Sequence, residues 1–274
     1  MTVQKSEIEL LYLNTNLNGE IMRFIILTLL GQILSFNTFA NPQDVNQDKS
    51  VINLATTEWC PYVCKNEQRG EGLILDYLRE VLEAENISLN VKFFPWSRAI
   101  QEVRSGRLNG LVTAIKSEAP TLDFTNVPSM YYQMCFYTRR ESTWIYQSEQ
   151  DLANIKLGLI SDYGYGEPVD SYAAQIHNYT NMIKIGGTDS LLRLEKLLAK
   201  KRIDAFIEDK HVVQWMFQQN ALREAGCLSK IPFFMAFNPE YAEETEVIPL
   251  LDSLLSLAKN QKLFQQKYFP RYFD

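Results

Sequence analysis

The sequence predicts an α/β protein built on largely parallel sheets. Short apolar runs alternate along the chain with segments whose apolar residues recur at about 3.6-residue spacing, which is typical of strands joined by helices. With 274 residues, 46% of them hydrophobic, the chain is long enough for two compact lobes. Residues 93–125 show the arrangement most clearly, as a helix, a buried strand and a polar loop. Ligands bind at such strand ends in open α/β sheets, so we expect a small-molecule cleft there.

The first half of the chain predicts four strands and two helices. Residues 86–94 place apolar side chains at alternate positions, as strands do. Trp96, Ile100 and Val103 recur at helical spacing, and Pro95 directly before them marks the start of a helix. The predicted strands are residues 51–56, 86–94, 111–115 and 131–138, and the predicted helices are residues 70–85 and 96–107.

The second half continues the alternation. Glu167 and Pro168 suit a helix start, since proline is tolerated at the first helical position and acidic residues are favoured in the first turn. Leucines recur on one side of residues 191–200, which predicts an amphipathic helix. The predicted strands are residues 155–160, 182–185, 203–207 and 232–237, and the other predicted helices are one from about Pro168, residues 211–219 and residues 247–268.

The N-terminus carries the pattern of a secretory signal that starts late. Met22 and Arg23 precede an apolar region of about 11 residues, which ends at a small-residue cleavage site at Ala40. We therefore expect residues 1–40 to be an N-terminal extension and signal peptide, with translation starting at Met22 and cleavage after Ala40, and the mature protein to be periplasmic. The alternative is an uncleaved membrane anchor, but the apolar run is shorter than the roughly 18–20 residues that a span needs.

Charge and histidine content exclude several functions. The net charge of −6 argues against a nucleic-acid partner. Only two histidines occur, and no G-x-S-x-G elbow or phosphate-binding G-K-[ST] sequence is present, so neither a hydrolase triad nor a cofactor is expected. Of the cysteines, Cys60 and Cys64 form a C-x-x-x-C loop, which we interpret as a disulfide rather than a metal or redox pair. For Cys135 and Cys227, both pairing and free thiols remain open.

Three motifs in order carry a resemblance to a known family. They are the P-W-S-R-A sequence at residues 95–99, the glycine turn at residues 106–110 and the D-F-T-x-x-P element at residues 123–128. Together they resemble the bacterial extracellular solute-binding proteins of family 3. The resemblance implies a two-lobed periplasmic binding protein of type II, a monomer with its ligand cleft between the lobes. It also implies the boundaries, with lobe 1 at residues 51–137 and 232–274 and lobe 2 at residues 138–231.

Aromatic residues at the strand ends are the first candidate ligand contacts. Trp59 follows the first strand, together with Glu58, and Trp96 opens the helix after the second strand. Their rings can stack on an apolar or cationic part of a ligand. The resemblance implies that aromatic residues at both places sandwich the ligand, and Tyr62 is a further candidate. Packing inside the lobe is the alternative for each.

The expected anion-binding group departs from the family pattern. In family members an arginine about six residues before the phenylalanine of the D-F-S element clamps the ligand carboxylate, but that position here is Glu118. Arg98 or Lys116 is the candidate substitute, since a guanidinium can hold a carboxylate with two hydrogen bonds. Otherwise the ligand is not an ordinary α-amino acid. The alternative for Arg98 is a structural role. Glu118 is either a cation-binding group or a solvated loop acid.

The second lobe offers a glycine-containing loop and an aspartate. Asp162, Tyr163, Gly164 and Tyr165 lie between a strand and a helix, where backbone N–H groups can approach an anion. An ordinary strand-to-helix turn is the alternative for this loop. The resemblance implies that Asp209, at the end of another strand, takes a ligand amine.

These patterns predict a protein that captures a small polar solute between two lobes and delivers it to a membrane ABC importer. The ligand is expected to carry an anionic group and an amine. Two alternatives remain: a sensor component that passes the ligand state to a membrane receptor, and a small periplasmic enzyme, such as a dehydratase, on the same fold. An enzyme would convert its ligand, whereas a binding protein would return it intact.

Overall fold

The computed structural model describes residues 49–65, 68, 70–217 and 221–273. The predicted extension and signal peptide, residues 1–40, lie outside these residues, so the start at Met22 and the cleavage after Ala40 stay predictions. Within the described part of the chain, no helix is both long enough and apolar enough to cross a membrane.

The described strands form two sheets. The first has the order β2-β1-β3-β11-β4, with β5 paired to β11, and the second has the order β10-β6-β9-β7-β8. The bounds are β1 Ser50–Thr56, β2 Ile87–Phe93, β3 Gly110–Ala114, β4 Asp123–Phe124, β5 Met130–Tyr132, β6 Met134–Thr138, β7 Leu157–Ile160, β8 Met182–Ile185, β9 Ala205–Asp209, β10 Arg223–Cys227 and β11 Ile231–Phe237. The two-lobed α/β prediction is confirmed.

Helices cover both sheets and follow the predicted order. Their apolar faces pack on the strands, as Leu78 and Leu82 do in the first helix, where both are buried. The α-helices are α1 Leu73–Glu83, α2 Trp96–Arg104, α3 Val169–Ala174, α4 Ser190–Ala199, α5 Lys210–Met216, α6 Pro239–Thr245, α7 Val247–Ser256, α8 Ala258–Leu263 and α9 Phe269–Phe273, and shorter turns are the 3₁₀ helices Glu149–Asn154 and Ile176–Asn181 and the π-helix Phe264–Tyr268.

Strand direction decides where a site can form. Strand β1 pairs in parallel with β2 and β3, and β7 pairs in parallel with β8 and β9. The carboxyl ends of each parallel set therefore lie at one edge of its sheet, which is where open α/β sheets present ligand-binding groups. Core residues such as Leu54 on β1 and Phe206 on β9 are fully buried beneath these edges.

The chain crosses between the sheets at Gln133, earlier than predicted. The predicted strand 131–138 is two strands, since β5 pairs with β11 in the first sheet and β6 pairs with β9 in the second. At the crossing, the Gln133 N–H donates to Asp209 Oδ2 (2.9 Å) and its carbonyl accepts from the Lys210 N–H (3.0 Å), so the backbone is already bonded to the second lobe. Residues 134–137 thus belong to lobe 2 rather than lobe 1.

Several other elements differ from expectation, and β4, α6 and α9 were not predicted. Strand β10 was not predicted, because its sequence R-E-A-G-C has no run or alternation of large apolar residues, yet it pairs with β6. The predicted helical region 247–268 is instead α7, α8 and the π-helix in succession. The break after α7 falls at Leu257, whose backbone is extended.

Both cysteine pairs lie at disulfide distance. The sulfur atoms of Cys60 and Cys64, the predicted pair, are 2.24 Å apart. Those of Cys135 and Cys227, whose pairing the sequence left open, are 2.03 Å apart, and the two residues are directly opposite on β6 and β10. The first pair lies in the loop after β1, and the second ties the two antiparallel strands of lobe 2 together.

Candidate functional site

Two adjacent cavities lie where the strand ends of the two lobes face each other. One encloses about 40 Å³ and the other about 210 Å³. They share the residues Thr57, Trp59 and Trp96 from lobe 1 and Tyr163 from lobe 2. Both cavities therefore have walls from both lobes, and this is the cleft that the sequence predicted.

Trp59 joins the first strand end to the second lobe. Trp59 lies in the loop after β1 and is only 9% exposed. The centroid of its ring is 4.5 Å from that of Tyr62. The indole N–H donates to Glu208 Oε1 at 3.1 Å. Glu208 is on β9, is 1% exposed and lines the larger cavity. A buried hydrogen bond thus connects the lobes beside the cavity.

Glu118 makes a second connection across the cleft. The N–H groups of Trp96 (3.1 Å) and Gly164 (2.8 Å) both donate to its Oε1, and the Ile115 N–H donates to its Oε2 (2.9 Å). Trp96 belongs to lobe 1 and Gly164 to lobe 2, so this carboxyl group holds the facing loops together. Glu118 is therefore not a solvated loop acid, which was one of the two interpretations that the sequence left open.

Glycine is required at position 164 by the closeness of the lobes. A Cβ atom there would lie 2.2 Å from Ile115 Cδ1 and 3.0 Å from Glu118 Cγ, both in lobe 1. Such a separation is well below van der Waals contact, so a side chain at position 164 would displace the Ile115 side chain or separate the loops. Nearby, the Ser97 hydroxyl of lobe 1 donates to Asp162 Oδ2 of lobe 2.

The two tyrosines of this loop differ in role. Tyr163 is partly buried and lines both cavities. Tyr165 is 2% exposed, and its hydroxyl exchanges hydrogen bonds with the Ile160 backbone, accepting from the N–H at 2.5 Å. Tyr165 therefore packs inside lobe 2, and of the two tyrosines only Tyr163 lines these two cavities.

Asp209 and Tyr62 are built into the protein instead of facing a ligand. Asp209 is fully buried, and its Oδ1 accepts from the N–H groups of His211 (2.9 Å) and Val212 (3.1 Å), which caps α5. The Tyr62 hydroxyl donates to the same oxygen at 3.0 Å. Neither residue lines the two cavities. The expectation of a cleft-facing Asp209 is corrected, and the carboxylate at the cavity is its neighbour Glu208.

The predicted cationic groups also lie elsewhere. Arg98 Nε is 2.5 Å from Glu102 Oε1 one turn along α2, an ion pair with the arginine 55% exposed. Lys116 is exposed, and neither residue lines a cavity. Glu58 is exposed and lines the larger cavity. The alternative reading of Arg98, as a structural residue, matches its position.

Glu208 was not among the predicted site residues, although its position in the strand next to Asp209 made it a candidate. Successive side chains of a strand point to opposite faces, so Glu208 and Asp209 cannot both face the cleft. The sequence alone did not show which of them does. A further part of the wall of the larger cavity was not predicted. It consists of residues 186–192, which include the first turn of α4, and of Trp215 from α5.

Burial sets the electrostatics of the two cleft carboxyls. Desolvation raises the pKa of Glu208 to about 7, partly opposed by the hydrogen bonds from the Asp209 N–H and Trp59. Desolvation also raises the pKa of Glu118 to about 8, against its three N–H donors. Both groups thus exchange protons near neutral pH, as carboxyls in functional clefts often do.

Metal binding has little support in the described part of the chain. The one group of suitable side chains there is Cys135, Glu224 and Cys227. Its two sulfur atoms are at bonding distance from each other, 2.03 Å, so they do not offer thiolate ligands.

Comparison with known proteins supports the fold. No protein-family model matches the chain, and no curated protein matches it in sequence. Among solved structures, a histidine kinase sensor domain similar to periplasmic binding proteins matches with a TM-score of 0.67 and 18% identity, over 81% of this chain and 97% of the other. A mutant of ArgBP from T. maritima matches with a TM-score of 0.66 and 14% identity, over 82% and 97%.

A third similar structure is an ancestral amino-acid-binding protein described as a precursor of cyclohexadienyl dehydratase. It matches with a TM-score of 0.62 and 14% identity, over 83% of this chain and 97% of the other. Each of the three matches covers 97% of the other chain. The chain therefore has the two-lobed fold of type II periplasmic binding proteins, as family 3 solute-binding proteins do.

Proposed function

We propose that the chain is an exported solute-binding protein that captures a small polar solute between its lobes and delivers it to a membrane ABC importer. The observation that carries the proposal is the construction of the cleft. Trp59 and Trp96 of lobe 1 and Tyr163 of lobe 2 line the same cavities, and Gly164 bonds to Glu118 across them. Such a cavity is complete only when the lobes meet, which is the geometry of hinge closure on a ligand.

Cavity size and the cysteines agree with this role. A volume of about 210 Å³ is below the roughly 300–1,000 Å³ of pockets for drug-sized ligands, so the solute is small. Two cysteine pairs at disulfide distance suit an oxidising compartment such as the periplasm. A single chain encloses the site, which is consistent with a monomer. Structures of similar fold include an ancestral arginine-binding protein bound to arginine and one bound to glutamine.

Two other functions have specific support. The similarity to a histidine kinase sensor domain favours a sensor that reports the ligand state to a membrane receptor. The cleft carboxyls favour an enzyme, since Glu118 and Glu208, with pKa values of about 8 and 7, are suited to proton transfer. Binding remains the first choice, because Glu118 already accepts three N–H groups and acts as a connection between lobes.

The proposal is tested by what the protein holds when it is isolated. Protein purified from the periplasm should carry a small molecule, visible by native mass spectrometry and released by mild denaturation. The released solute should rebind to dialysed protein and be recovered chemically unchanged after prolonged incubation. Conversion of the solute would establish an enzyme, and protein that neither carries nor binds any small molecule would refute solute capture.

A further inference from the structure

The charged side chains around the cleft have one sign. Glu58, Asp189 and Glu208 line the larger cavity, and Glu118 lines the smaller one beside it. Among the described residues, no lysine, arginine or histidine lines either cavity. An anionic group placed here would be buried next to carboxyl groups without a counter-charge, which is unfavourable.

Three basic residues that adjoin the cavity walls in sequence are bonded elsewhere, and one of them, Arg193, donates from Nη1 to the Gly186 carbonyl at 2.7 Å. Arg98 Nε lies 2.5 Å from Glu102 Oε1, and Lys210 Nζ lies 3.4 Å from Glu224 Oε2. Moving either to the cavity would break its own ion pair. Among the described residues that line these two cavities, none is therefore a cationic clamp for an amino acid's carboxylate.

Glu208 has an acceptor that the protein does not use. Its Oε1 receives both the Trp59 N–H (3.1 Å) and the Asp209 N–H (2.8 Å). From the residues that the structure describes, Oε2 receives no hydrogen bond, although the side chain is 1% exposed and borders the cavity. Oε2 is not fully sealed from solvent, so a ligand N–H group that enters the cavity can donate to it.

Aromatic rings complete the surroundings of this carboxylate. Trp59, Trp96, Tyr163 and Trp215 line the same cavity, and their faces attract cations when water is excluded. The N-terminus of α4 also reaches the cavity and would favour an anion, but Asp189 at that end already supplies a negative charge.

We propose that this cleft takes an organic cation, with an ammonium or guanidinium group on a short apolar chain and no carboxylate. The cationic group donates to Glu208 Oε2 and lies against the tryptophan rings, and the chain fills the apolar part of the cavity. The inference rests on the proposed function of solute capture. It differs from the sequence prediction, in which the ligand carries an anionic group.

Titration calorimetry with matched pairs tests the inference on the mature protein. Each pair contains an amino acid and the amine that remains when its carboxylate is removed: arginine with agmatine, and lysine with cadaverine. The amine of at least one pair should bind about tenfold or more tightly than its amino acid.

Glu208→Gln should weaken amine binding at least tenfold, because the ring contacts remain but the charge is lost. Glu244→Gln, an exposed residue of α6 outside both cavities, is the control and should bind as the wild type does.

The outcomes separate this inference from the proposed function. Tighter binding of the amino acids, binding of glutarate, or unchanged amine binding in Glu208→Gln would overturn the organic cation and leave solute capture standing. If no probe binds, the co-purified solute decides: a cation without a carboxylate supports the inference, and any other solute overturns it. Protein without any bound solute would refute both.

Discussion

Replacing Trp96 with alanine is expected to weaken solute binding by about 2 kcal/mol or more, which is roughly 30-fold. The ring lines both cavities, and its N–H donates to Glu118 at the oxygen that also holds Gly164 of the other lobe. The substitution therefore removes a proposed ligand contact and also loosens the connection between the lobes. Trp96 is also 5% exposed, so unfolding should become easier by about 3–5 kcal/mol, and binding must be measured where circular dichroism shows the variant folded.

Trp144→Ala is the matched control for this change. Trp144 packs in lobe 2 with its ring 5.6 Å from that of Phe136, and it lines neither cavity. Its removal should lower stability but leave the affinity for the co-purified solute unchanged. Equal affinities of folded Trp96→Ala and wild type, measured by calorimetry, would place the ligand outside this cleft.

The stability of the solute-free protein is expected to fall as the pH rises from about 5 to about 8. Burial raises the pKa of Glu208 to about 7 and that of Glu118 to about 8, whereas both carboxyls titrate near their ordinary pKa of about 4.3 in the unfolded chain. Between these values the folded protein binds protons that the unfolded chain has lost. The free energy of unfolding is therefore largest at the acidic end of this range and decreases until the pH passes the raised pKa values.

Urea denaturation at several pH values measures this dependence. The free energy of unfolding should decrease by about 3 kcal/mol less between pH 5 and pH 8 in Glu208→Gln than in the wild type, because the variant lacks the carboxyl whose pKa burial raises. Part of the slope should remain, because burial also raises the pKa of Glu118, Asp170 and Asp209. Glu244→Gln should keep the full slope, and a wild-type stability that rises over this range would show that the cleft carboxyls are not desolvated.

The order of strands and helices was predictable because each element carries its own pattern. Alternation in residues 86–94 gave β2, and the spacing of Trp96, Ile100 and Val103 gave α2. Strand β10 escaped because its pairing with β6 depends on residues about 90 positions away, which no local pattern shows. The crossing at Gln133 escaped for a similar reason, since an apolar stretch does not reveal which sheet it joins.

The site was predictable only in part. Trp59, Trp96 and Tyr163 lie at strand ends or in loops and line the cavities, whereas Tyr62 and Tyr165 lie in the same loops and do not. Glu208 and Asp209 show the limit, because Asp209 caps α5 and its neighbour Glu208 lines the cavity, which the sequence did not distinguish. The role of Glu118 was also hidden, since its donors come from three separate segments that only the folded chain brings together.

Hydrogen exchange at Gly164 tests the central claim, closure of the two lobes on a solute, most directly. Its N–H belongs to lobe 2 and donates to Glu118 of lobe 1 at 2.8 Å, so it is protected only when the cleft is closed. Saturating dialysed protein with its co-purified solute should slow exchange of this amide about tenfold or more, while amides of α7, far from the cavities, keep their rates. Solute bound at full occupancy with unchanged exchange at Gly164 would contradict closure.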